Sequence, residues 1–117
     1  MKVGIVILAD TETKEALGRV LNALEFAKEL KENNDEVRVV FDGAAVKWLP
    51  EISDGEHYVN PLYEAVKDKV DGACSYCASA FGVRQKLKQL NITFLDDFDD
   101  HPSLRNLIKD GYQVVTF

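Results

Sequence analysis

The stretch KVGIVIL, Lys2–Leu8, is an almost unbroken apolar run, and the chain changes period soon after it. A half-buried strand alternates apolar with polar residues, whereas a parallel strand covered on both faces reads as a continuous run. The following segment, TETKEALGRVLNALEFAKELKEN (residues 11–33), carries Ala16, Leu17, Val20, Leu21, Leu24, Ala27 and Leu30 at three-and-four spacing. That spacing builds one apolar helix face, with Thr11 or Thr13 placed to cap the start. Gly18 costs the helix interior about 1 kcal/mol against alanine, too little to break the pattern. A buried strand leading into an amphipathic helix opens an α/β fold.

The alternation continues. EVRVVF, Glu36–Phe41, reads as a second strand ended by Asp42-Gly43. AAVKWL reads as a short helix or turn stopped by Pro50, and PEISDGEHYVN as a mobile loop. Asn60 is placed to cap a helix whose first turn takes Pro61, with Leu62, Ala65 and Val66 inward. Residues 72–75 form a short strand of small side chains, and ASAFGVRQKLKQL reads as a single helix. NITFLD, Asn91–Asp96, is a fourth strand. His101-Pro102 then opens a helix carrying Leu104, Leu107 and Ile108 and ended by Gly111, before the fifth strand YQVVTF. The expectation is one domain over residues 1–117, a three-layer α/β/α sandwich around a mostly parallel five-stranded sheet.

Composition narrows the function classes. A formal charge of -6 over 117 residues argues against binding nucleic acid directly or resting on an anionic membrane surface. No apolar run reaches the length of a bilayer span, and MKVGIVILAD lacks the cleavage pattern of a secretory leader. The expected location is the reducing cytoplasm. There, two cysteines suggest free thiols, redox chemistry or metal binding before a disulfide framework.

In open α/β sheets, ligands gather where the strands deliver their carboxyl ends. That edge should carry Asp10–Thr13, Asp42-Gly43, Cys74–Ser79 and Asp96–His101. Both cysteines lie in GACSYCASAFGV, Gly72–Val83, as a CxxC pair. Cys77 falls in the strand-to-helix turn, where main-chain N–H groups favour a thiolate that can attack a disulfide or hold a sulfane sulfur. Cys74, three residues earlier, can resolve a bond formed at Cys77 or simply pack. Three readings of the pair stay open: thiol chemistry, buried structural cysteines and metal binding. CxxC is only half the usual cysteine count of a structural zinc site. His57 and His101 could assist proton transfer or complete a Cys2His2 set, but their spacing matches no compact zinc module, and no metal or cofactor is expected. The acidic run Asp96, Asp97, Asp99 and Asp100 is expected to be solvated or to cap the last helix. Arg84 lies along the cysteine helix, away from any anion site. Trp48 is either an interface anchor or a core residue. The glycines of dinucleotide and P-loop turns are missing after the first strand.

KVGIVILAD leading into a long helix, VVFDGAAVKWL, NPLYEAVKD and above all CSYCASAFGV resemble the DsrE/DsrF-like family, including its YchN-like members. The glycine of the family's CxxC-x4-G segment falls on Gly82, and its cysteine of main interest on Cys77. Cys74 matches a cysteine present in some members. The resemblance implies a parallel five-stranded α/β/α domain that forms homo-oligomers, trimers or hexamers. It also implies that Cys77 carries a persulfide from a sulfur-donor protein to an acceptor without a diffusible cofactor. Phe81 stands where YchN-like patterns place a basic residue. The alternatives are a non-enzymatic oligomeric scaffold and a CxxC dithiol redox protein.

Overall fold

The computed structural model describes all 117 residues. Five strands, β1 (Lys2–Ile7), β2 (Glu36–Phe41), β3 (Val70–Cys74), β4 (Phe94–Leu95) and β5 (Gln113–Thr116), form one sheet in the order β4-β3-β2-β1-β5. Every pairing in it is parallel. Six helices connect them: α1 (Lys14–Glu32), α2 (Trp48–Ile52), α3 (Asn60–Val66), α4 (Ser75–Ala80), α5 (Arg84–Gln89) and α6 (Leu104–Lys109). The chain is a three-layer α/β/α fold. No helix is long and apolar enough to cross a membrane.

The layers are unequal. Val3, Ile5 and Ile7 of β1, with Val37, Val39 and Phe41 of β2, point into one large core filled by α1 to α5. Alternate residues of a strand face opposite sides. Gly4 therefore looks the other way, where Leu107 of α6 packs on it. That second face is also polar at Arg38, whose guanidinium pairs with Asp71 of β3 at 2.6 Å. The helix α1 begins as its sequence requires, with the Thr13 side chain accepting from the Ala16 N–H at 3.0 Å. Leu24 on its inward face is fully buried, and truncation of such a side chain to alanine costs about 2–5 kcal/mol.

Several expected boundaries move, each for a local reason. The single helix expected over residues 78–90 is two. Gly82 has φ +71°, its N–H bonds the Ser79 carbonyl, and the Val83 N–H bonds that of Ala78, a Schellman ending that stops α4. Pro50 does not stop a helix but sits inside the first turn of α2, where its missing N–H removes no bond. Asn60 lies within α3 rather than capping it, and its amide donates to the Ile52 carbonyl at 2.8 Å. Of the PEISDGEHYVN segment, residues 53–59 are a chain of turns between α2 and α3, closed by bonds such as Val59 N–H to His57 Nδ1 at 3.1 Å. The last helix begins at Leu104 under a Ser103 cap, so His101 precedes it, and Ile108 faces solvent. Trp48 is core: 3% exposed, with its indole N–H shared between the Ala9 and Asp10 carbonyls.

Gly72 is the tightest point of the sheet. The Ala73 N–H takes the Thr93 carbonyl at 2.9 Å, and a Cβ on Gly72 would overlap that same carbonyl. Gly72→Ala should therefore force backbone apart and destabilise by about 3 kcal/mol. At Gly82 the space is open and only the left-handed backbone resists a side chain, so Gly82→Ala should cost about 1 kcal/mol. Urea midpoints at unchanged m should rank the two in that order, and equal losses would contradict this account.

Candidate functional site: a Cys-Cys-His-Asp cluster

Parallel pairing places the site. Phe41 of β2 lies beside Ala73 of β3, so the next residues of the two strands, Asp42 and Cys74, leave the sheet side by side. β4 pairs Leu95 with Cys74 on the other flank. Beyond β4 the chain turns sharply: Phe98 and His101 exchange both main-chain bonds, at 2.9 and 2.8 Å, around Asp99 and Asp100. Both central residues have positive φ, +48° and +67°, which is the pattern of a type I′ turn. Aspartate tolerates this backbone better than most residues, though at some cost. The Asp100 carbonyl accepts from the Tyr76 N–H at 2.8 Å, and the Tyr76 ring packs against His101 with centroids 4.9 Å apart. The turn is thereby tied to the cysteine segment.

Four side chains converge. The donor atoms of Asp42, Cys74, Cys77 and His101 all lie within 4.8 Å of one another. Cys74 Sγ is 3.3 Å from His101 Nδ1, and the Cys77 thiol donates to Asp42 Oδ1 at 3.6 Å. The Cys77 N–H donates to Cys74 Sγ at 3.3 Å, making Cys74 the cap of α4. Asp42 is oriented by the Gly43 N–H, which bonds its Oδ1 at 2.8 Å. Both cysteines are free thiols. Cys77 is 8% exposed and Cys74 is fully buried.

The two thiols differ in electrostatics. Burial pushes the Cys74 thiol up to about 12, from an ordinary value near 9. The Cys77 N–H opposes this by bonding the sulfur, while the Asp42 charge reinforces it. The helix-start N–H expected to favour a thiolate at Cys77 is thus spent on Cys74, because Cys74 occupies the cap and Cys77 lies one turn inside.

Of the other sequence candidates, His57 is not in the cluster; its ring stacks on Tyr58 with centroids 5.4 Å apart. The acidic run is exposed, and Ser103 does the capping. Arg84 begins α5 and reaches back to the Ser75 carbonyl at 3.0 Å and the Ser75 hydroxyl at 3.2 Å, clamping the cysteine helix from behind. A cation does stand near Phe81: Lys47 Nζ lies 5.5 Å from its ring, already paired with Asp10 at 2.6 Å. Asp42 was legible only as a residue at this edge. A shallow cavity of about 130 Å³ lies elsewhere, lined by Tyr63, Gly72 and Thr93 among others, and neither cysteine opens into it.

Fold and site together define an α/β/α protein with a thiol pair at the carboxyl edge of its sheet. The chain belongs to the DsrE/DsrF-like family, whose model matches residues 1–117. It is 33% identical over 96 residues to "Uncharacterized protein MJ0733" of Methanocaldococcus jannaschii, covering 82% of this chain and 78% of that protein. A conserved protein of unknown function, BT1422 from Bacteroides thetaiotaomicron, has a similar fold with TM-score 0.64 at 20% identity. That match covers 97% of this chain and 94% of the other.

Native alkylation with iodoacetamide at neutral pH should label Cys77 before Cys74, and Cys74 should become reactive only as pH rises toward about 12. The same raised Cys74 value makes fold stability fall between about pH 9 and 12, because the unfolded chain releases that proton first. Asp42→Asn should bring the Cys74 onset to lower pH. Peptide mapping of the labelled protein across pH checks the order, and equal labelling at neutral pH contradicts it.

Proposed function

We propose that the protein is a persulfide carrier in a cytoplasmic sulfur relay, acting as a homo-oligomer, a trimer or hexamer, between a donor protein and an acceptor protein. Membership of the DsrE/DsrF-like family supports a sulfur-relay role. The observation that carries the finer reading is the asymmetry of the pair: Cys77 keeps a slight exposure and Cys74 has none.

The transfer balances without a cofactor. Cys77 Sγ attacks the terminal sulfur of a donor persulfide; a new S–S bond forms at Cys77, the donor S–S bond breaks, and the donor sulfur keeps that electron pair. The Cys77 proton passes through the Asp42 carboxylate that accepts its hydrogen bond and ends on the departing sulfur. An acceptor thiolate then attacks the outer sulfur and Cys77 is released. Cys74, buried and held as a thiol, is slow to attack the loaded Cys77, which would otherwise close a Cys74–Cys77 disulfide and lose hydrosulfide.

Incubation of the reduced protein with inorganic polysulfide, followed by intact-mass and peptide mass spectrometry, tests this. One added sulfur should map to Cys77 and be removed by dithiothreitol. Cys74→Ser should still load, and Cys77→Ser should not. If Cys77 gains no sulfur while the fold is intact, the scaffold reading takes its place.

A further inference from the structure

We propose that Cys74, Cys77, His101 and Asp42 form a tetrahedral site for a zinc-class divalent cation. The donor set and its geometry both point there. Two thiolates, one imidazole and one carboxylate are a mixed sulfur, nitrogen and oxygen set suited to a borderline-soft ion without geometric preference of its own. With zinc–sulfur bonds of about 2.3 Å and zinc–nitrogen or –oxygen bonds of about 2.0 Å, the edges of such a tetrahedron run about 3.3–3.8 Å. The Cys74–His101 and Cys77–Asp42 donor separations, 3.3 and 3.6 Å, fall on those edges. No donor pair exceeds 4.8 Å, so closing around an ion needs a contraction of about 1.5 Å at most.

The surroundings serve the same purpose. The Cys77 N–H aims at Cys74 Sγ and steadies the charge of a coordinated thiolate, while the Gly43 N–H orients the Asp42 carboxylate. His101 is delivered by a strained turn with two left-handed aspartates, pinned to the cysteine segment through Tyr76. Backbone strain is kept where the surrounding structure holds it in place, and here the strained residues, Asp99 and Asp100, immediately precede a donor. Cys77 is slightly exposed and Asp42 and His101 are half-buried, which leaves the ion a way in. On binding, two thiol protons leave to solvent, four coordinate bonds form and nothing is oxidised or reduced. The ion engages both sulfurs, so the metal-loaded form and a sulfur-carrying form exclude one another.

The test titrates chelator-treated, reduced protein with Co²⁺ and follows its absorption. Saturation at one ion per chain is expected, with thiolate-to-cobalt charge transfer and the intense ligand-field bands of a tetrahedral site, both abolished by equimolar Zn²⁺. His101→Ala and Cys74→Ser should each weaken binding by more than about tenfold, and His57→Ala should leave it unchanged. Circular dichroism of the His101→Ala protein separates a lost ligand from a lost fold. Independently of any variant, saturating Zn²⁺ should slow alkylation of Cys77 in the parent chain by more than about tenfold. Absence of a saturable tetrahedral spectrum, unchanged affinity in folded His101→Ala, or alkylation at the metal-free rate would each overturn the proposal. Polysulfide loading is read by mass and cobalt binding by absorption, so either idea can fail without the other.

Discussion

The site rests on one constraint: β2 and β3 run side by side in the same direction, with Phe41 level with Ala73. Burial of both strands in the large core holds that register, because a slip by one residue would turn their apolar side chains outward. A parallel pair delivers both chain ends to the same edge. Asp42 and Cys74 therefore emerge together, and helix α4 folds Cys77 back over them. The close passage of the Thr93 carbonyl against Gly72 brings β4 onto the same flank, and with it the turn that supplies His101.

What the cluster can do follows from how differently it treats two identical thiols. Cys74 ends a strand in the core, caps a helix and stays protonated because its charge would be poorly solvated. Cys77, three residues on, meets the edge of the site and faces a carboxylate. A symmetric dithiol motif in the chain becomes one fully enclosed cysteine and one slightly exposed cysteine. That asymmetry suits carrying a reactive sulfur atom, and the same four donors suit gripping a cation when both thiols lose their protons.

Much of the architecture was legible because it is written in local periodicity. The unbroken run at Lys2–Leu8, the three-and-four spacing of α1 and the limits of β2 at Glu36–Phe41 all state their burial directly in residue type. Legibility failed where tertiary packing competes with local signals. Pro50 reads as a stop and Asn60 as a cap until the neighbouring turns place them inside α2 and α3. Gly82 did carry a sign of the break between α4 and α5, as a left-handed glycine after a short apolar run, but the helical spacing around it was the stronger pattern.

The sequence by itself determined the class of fold, the family, and the edge at which chemistry would gather, since strand and helix periods and the CxxC segment are short-range properties. Only the tertiary structure decided that Asp42 and His101, 35 and 27 positions away from their sulfur partners, join the cysteines while His57 does not. It also decided that the helix-start N–H serves Cys74 rather than Cys77. The physical reason is the same in each case. Hydrogen bonds and donor sets form between groups brought together by strand register and loop closure, and no local pattern of residues records those distances.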